Sequence, residues 1–306
     1  MRILITGVSG LMGINLALEL AKEHQVFGIA NHLHLRQSVL PFNLFQSDLT
    51  LQGALESALD AIQPDWIIHC AALANLDACE ANPALAQRLN AEVPGELATL
   101  AATVGCRLIH ISTDTIFDGQ RGDYTEEDIP NPLSIYARSK LEGERRVLEV
   151  NSEAVIARVN LHGWSISGKR SLAEFFFNNL QAGKPVLGFT DVYFCPLLAN
   201  DLADIFLRIF EKGLSGLYHA VSSESLTKYD FGIQIARKFG LNDRLIQPSS
   251  VEKASLIAIR SPRLTLKTDK LSKDLGSKLP GIFQGIERLY ALYQKGYPQM
   301  LQSLAE

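Results

Sequence analysis

The chain is poor in cysteine, with four in 306 residues: Cys70, Cys79, Cys106 and Cys195. No two form a C-x-x-C pair, which excludes a disulfide framework or a zinc knuckle and suits a reducing compartment. Clustered metal ligands are also missing. The seven histidines are scattered, His32 and His34 being the only close pair, so no metal site is expected. There is no basic run, and 29 Lys plus Arg against 33 Asp plus Glu leave a net charge of −4. Such a chain is a poor partner for nucleic acid or an anionic membrane surface. Nor is there a long hydrophobic run. Thr6, Gly7, Ser9, Gly10, Gly13 and Asn15 interrupt the apolar stretch from Arg2 to Leu18, well short of the roughly 18 apolar residues of a span. A cytoplasmic protein is expected.

What remains is a globular composition, 47% hydrophobic and 20% charged, evenly spread. The length suffices for one large or two modest domains. Strand signals at Arg2–Thr6, Val26–Ala30, Asp65–Cys70, Arg107–Ser112 and Ala154–Val159 alternate with helical runs at Ile14–Lys22, Ala84–Val104 and Ile135–Val150. Leu51, Leu55, Leu59 and Ile62 add a further helical spacing. Strand–helix alternation predicts a parallel sheet covered on both faces, a doubly wound Rossmann-type α/β domain over residues 1–163. Beyond Gly163, Pro185, Pro196, Pro262 and Pro280 break the regularity. Helical patterns near Leu172–Leu180, Asp201–Phe210 and Tyr229–Phe239 and a strand at Gly216–Val221 predict a smaller substrate domain, 164–306. Some of its segments are expected to return to the first domain. Phe175-Phe176-Phe177 reads as core, and Asp77, Glu80 and Asp128 as solvated or helix-start charges.

Gly7-x-x-Gly10-x-x-Gly13 follows the first strand and opens the first helix, with Leu11 and Met12 between the last two glycines. Glycine lets the backbone approach a pyrophosphate, and the helix start offers free N–H groups to it. The end of the second strand, Asn31, lacks the Asp or Glu that holds an NAD ribose. Arg36 close by is the candidate for a 2′-phosphate, so NADP(H) is expected, with NAD(H) the alternative. Tyr136-x-x-x-Lys140 shares one helix face. An ammonium beside the phenol is expected to lower the tyrosine pKa and ready it for proton transfer. Ser112-Thr113-Asp114 ends a strand, where open α/β sheets bind ligands.

Together these residues resemble the extended short-chain dehydrogenase/reductases. Gly7/Gly10/Gly13, Asp48-Leu49, Ala71-Ala72, Thr113 and Tyr136/Lys140 occur in the family's order. Within the group the chain is most similar to the dTDP-4-dehydrorhamnose reductases, through Ser112-Thr113-Asp114-Thr115-Ile116-Phe117-Asp118-Gly119 and Asn131-Pro132 to Lys140. It departs at Thr115, where the family usually has Tyr, at Leu197-Leu198, and at Leu161, where Trp is common. Related 4,6-dehydratases carry a Glu where Thr115 stands, which argues against dehydration.

The resemblance implies a reductase of a ketone on a nucleotide-activated sugar. Tyr136 protonates the alkoxide, Lys140 holds the nicotinamide ribose, Thr113 contacts the carbonyl, and Asp114 and Leu161 serve the substrate. Apart from the resemblance, Arg260 near Pro262 is a candidate to bind a diphosphate bidentately, with a surface ion pair as the alternative. Asp48, Leu49, Ala71 and Ala72 line the cofactor pocket. A sugar-nucleotide epimerase and a non-catalytic cofactor-binding regulatory subunit remain as alternatives, and a homodimer is left open.

Overall fold

A computed structural model describes residues 1–31, 35–253 and 261–305. Seven strands form one parallel sheet: β1 (Arg2–Thr6), β2 (Gln25–Ala30), β3 (Asn43–Gln46), β4 (Trp66–His69), β5 (Arg107–Thr113), β6 (Val155–Val159) and, from the second half, Gly216–His219. Their order is Gly216–His219, β6, β5, β4, β1, β2, β3. Every side chain of β4 and β6 is buried, as a sheet covered on both faces requires. The strand order reverses between β1 and β4, so a crevice opens at their carboxyl ends.

The helices are α1 (Leu11–Leu20), α2 (Ala54–Ile62), α3 (Leu76–Ala81), α4 (Pro83–Gln87), α5 (Val93–Val104) and α6 (Ile135–Val150). The expected single helix over Ala84–Val104 is broken by a π turn at Arg88–Glu92. Pro94 has no N–H to return to the Asn90 carbonyl, so the ladder widens there. A Cβ on Gly143 of α6 would lie 2.1 Å from that carbonyl oxygen, so glycine alone lets α6 seat against the turn.

The second half holds helices Leu172–Gln181, Leu202–Glu211, Lys228–Lys238, Asp269–Leu275, Ile282–Gln294 and Tyr297–Ser303, with two short strand pairs and a small three-stranded sheet among the described residues. Gly216–His219 pairs parallel with β6, so this part of the second half completes the first half's sheet. One apolar cluster runs from Ile3, Ile68 and Ile109 through Trp164 to Phe206, Phe231 and Leu289. Each such side chain contributes about 1.5–3 kcal/mol on burial. Phe176 and Phe177 join this core; Phe175 instead lies exposed, because three consecutive helical positions cannot share one face. The edge strand β3 was not anticipated: Asn43–Gln46 is mostly exposed and holds only two apolar residues, Leu44 and Phe45, too short a run to mark a strand.

Candidate active site

A cleft of about 720 Å³ lies along the carboxyl ends of β1, β2, β4, β5 and β6. At one end the turn after β1 exposes Gly7, Gly10, Leu11, Met12 and Gly13. Gly7 has φ +67°, and a Cβ there would meet the Ala71 nitrogen at 2.7 Å. A Cβ on Gly13 would lie 2.4 Å from the Gly7 oxygen. Those two glycines close the turn on itself and on the β4 loop. Gly10 is different: it is the N-cap of α1, its Cβ position is 3.2 Å from the Gly7 oxygen, and no side chain caps the helix. The first-turn N–H groups therefore face the cleft with no carboxylate or hydroxyl bonded to them among the described residues, which suits a pyrophosphate.

Asn31, Asp48, Leu49, Ala71 and Ala72 complete this end. Asp48 Oδ1 accepts from the Thr50 N–H at 2.9 Å and from its hydroxyl at 2.7 Å, which fixes the loop after β3. Arg36 is exposed and does not line the cleft; its backbone N–H donates to the Leu304 carbonyl at 2.7 Å. Arg260, and the histidine pair His32 and His34, lie outside the described residues.

At the other end Thr113, Asp114, Tyr136, Lys140 and Leu161 converge. Ser134 caps α6, its Oγ accepting from the Ala137 N–H at 3.2 Å, and Glu80 Oε1 accepts from the Ile135 N–H at 2.8 Å. These bonds pin the turn that carries Tyr136. The phenol hydrogen-bonds the Thr113 hydroxyl.

One electrostatic expectation is overturned. Burial pushes the Tyr136 phenol up to about 12, Asp114 and Cys79 adding to the rise against the Thr113 hydrogen bond. Lys140 does not lower it. Lys140 is only 3% exposed, and its ammonium donates to the Ile111 carbonyl at 2.5 Å. Burial pulls Lys140 itself down to about 8, with Glu144 and Cys70 opposing. Tyr136 is therefore a phenol, a proton donor, throughout the neutral range. Asp114 is raised to about 6 by burial, against hydrogen bonds from Asn160 and Thr113 and the charge of Lys228.

Several lining residues were missed from the sequence. Asn160 Nδ2 donates to Asp114 Oδ2 at 2.5 Å, and Arg170 and Lys228 bring positive charge to the same end. Asn160 follows β6 directly, a strand-end position that topology alone would have marked. Nothing local distinguishes Arg170 or Lys228.

Over residues 1–295 the chain matches the family described as RmlD substrate binding domain. It is 32% identical over 294 residues to a probable low-salt glycan biosynthesis reductase of Haloferax volcanii, covering 94% of this chain and 97% of the relative. Methionine adenosyltransferase 2 subunit beta of Bos taurus is also 32% identical, over 86% of this chain and 78% of its own. Among solved structures, a hypothetical dTDP-4-dehydrorhamnose reductase from Sulfolobus tokodaii superposes with TM-score 0.80 at 30% identity, covering 92% of this chain and 97% of that one. The dTDP-4-dehydrorhamnose reductase of Bacillus anthracis, solved in complex with NADP, gives 0.82 at 25% identity, over 95% and 98%. Family match, relatives and fold agree along nearly the whole chain, and the chain belongs to the RmlD substrate-binding-domain family of α/β proteins.

Proposed function

We propose that this protein is an NAD(P)H-dependent reductase of a keto group on a nucleotide-activated sugar, of the dTDP-4-dehydrorhamnose type. The observation that carries the reading is the convergence of Thr113, Tyr136 and Lys140 in one cleft with the uncapped start of α1. A dinucleotide fits this end because Gly10 puts no side chain beside the uncapped start of α1, whose first-turn N–H groups would hold a pyrophosphate. Asn31, with no carboxylate at the end of β2, favours NADPH. The nicotinamide supplies the hydride when bound. Tyr136 gives its proton to the substrate oxygen as negative charge develops there. Thr113 orients the phenol and the carbonyl, and Lys140, which lines the cleft, would hold a ribose hydroxyl. Asp114, Asn160, Arg170 and Lys228 line the sugar-nucleotide end.

A second reading, a cofactor-binding regulatory subunit, has the bovine relative in its favour. Incubation with dTDP-4-dehydrorhamnose and NADPH separates the two. Loss of reduced nicotinamide that depends on the ketone supports the reductase, whereas tight NADPH binding without turnover of any 4-keto nucleotide sugar supports the subunit.

A further inference from the structure

His69 and His110 occupy partner positions on β4 and β5. Their rings stack with centroids 5.4 Å apart and planes at 25°, and both are buried. Thr6 is the β1 partner of His69, so one polar row crosses three strands beneath the cleft. Thr6 Oγ1 accepts from the Ala71 N–H at 3.2 Å, which leaves its own hydrogen for His69 Nδ1 at 2.7 Å. At the far end His110 Nε2 lies 3.3 Å from Lys140 Nζ. His69 Nε2 and His110 Nδ1 find no hydrogen-bond partner among the described residues. A buried polar row with two orphaned nitrogens is costly, and apolar side chains would fill the same space more stably.

We propose that His110 is a positioning residue for Lys140: its ring Nε2 accepts from the ammonium and fixes both the lysine's direction and its charge for cofactor binding. The inference rests on the reductase reading of the cleft. An ammonium has three donors. One goes to the Ile111 carbonyl and one to His110, leaving the third for the cleft that Lys140 lines. Glu144, on the same helix, does not take His110's place. Its carboxylate accepts from Arg158 at 3.0 and 2.7 Å and from the Ser112 hydroxyl. The other titratable groups about Lys140 are Cys70 and His69, with Tyr136 one turn earlier on α6. The Cys70 thiol is pushed up to about 12 by burial and His69 is held down at about 3, so both are uncharged at neutral pH. His110 is likewise neutral, held far down by burial and by Lys140. A neutral imidazole that carries its hydrogen on Nδ1 presents a lone pair at Nε2, the tautomer these partners assign. Accepting from a buried ammonium favours the charged lysine.

The test is NADPH affinity titrated from neutral to alkaline pH in wild type, His110→Phe and His110→Gln. Wild-type affinity falls as pH rises through about 8, where Lys140 loses its proton. Phe keeps the stacking but removes the acceptor, so the fall begins about one pH unit lower and affinity at pH 8 drops about fivefold. Gln restores an acceptor and returns the limb toward the wild-type position. A limb that stays near 8 in a folded Phe variant overturns the inference, since a merely structural role moves the Tm and not the limb. Should His110→Phe fail to fold, His110→Leu, which also lacks an acceptor, decides in its place: a limb about one pH unit below the wild-type position supports the role, and a limb near 8 overturns it. Wild type that binds NADPH with no limb overturns it too. Wild type that binds no NADPH overturns the cofactor reading itself, and this inference with it.

Discussion

The Lys140 ammonium donates to the Ile111 carbonyl at 2.5 Å, two residues before Thr113 on the same strand. The lysine is thus tethered to β5, and no hydrogen bond joins it to the Tyr136 phenol among the described residues. Lysine and tyrosine share a helix face, yet they do separate work. Lys140→Met removes a charge-assisted hydrogen bond of about 1.5–3 kcal/mol. NADPH affinity measured by calorimetric titration is expected to weaken by about 10- to 100-fold, with kcat falling as well.

The three glycines of the first turn differ in what they tolerate. Gly10→Val leaves the fold intact, because its Cβ position meets only the Gly7 oxygen at 3.2 Å, but the branched side chain occupies the pyrophosphate's place and NADPH binding is lost. Gly13→Ala forces a Cβ to 2.4 Å from the Gly7 oxygen and costs about 1–3 kcal/mol of stability. Thermal melts and NADPH titration of both variants check the contrast. A Gly10→Val protein with wild-type affinity removes the turn from the site.

Asp114 is held in a state that suits the cleft better than the fold. Its folded carboxyl titrates at about 6 against an ordinary 3.8 because burial disfavours the charge. The raised value means its stabilising contribution is full below the unfolded pKa and is lost as pH rises through about 6. Asp114→Asn, neutral at every pH, should therefore stabilise the protein by about 1–3 kcal/mol at pH 8 and by little at pH 4. Denaturant melts at the two pH values measure this. Turnover is expected to fall in the same variant.

Cofactor choice turns on the end of β2. Asn31 lines the cleft and offers no charge to a ribose. Asn31→Asp introduces a carboxylate that repels a 2′-phosphate and accepts from a 2′-hydroxyl. NADPH should weaken about tenfold or more while NADH strengthens. Strong preference of the wild type for NADH would show that this strand end is misread.

Local sequence carried much of the site. The glycine turn, the Ser112-Thr113-Asp114 strand end and the Tyr136/Lys140 helix were legible because each sits within one element or at one junction, where spacing fixes geometry. Ile135–Val150 was placed to its ends by its helical run, and the structure shows Ser134 capping its start. Across elements the sequence was mute. His69 and His110 are 41 positions apart and meet only through the β4–β5 register. Both stand just before a cleft-forming segment, Cys70-Ala71-Ala72 and Ile111-Ser112-Thr113, which is the signal that strand alignment would have exposed. The lowered tyrosine pKa failed for the opposite reason. Proximity along a helix predicted a charge effect, but burial outweighed it and the ammonium was engaged elsewhere. Arg36, near in sequence to Asn31, stands beside Leu304 and not along the cleft.

The account stands most directly on the proton carried by Tyr136, and steady-state reduction of dTDP-4-dehydrorhamnose by Tyr136→Phe measures it. Phe keeps the packing and removes the transferable proton. Turnover should fall by roughly 10²- to 10⁴-fold, while NADPH affinity stays within about twofold because the proposed ribose contact is made by Lys140 and not by the phenol. A Tyr136→Phe protein that reduces the ketone at near wild-type kcat contradicts the account.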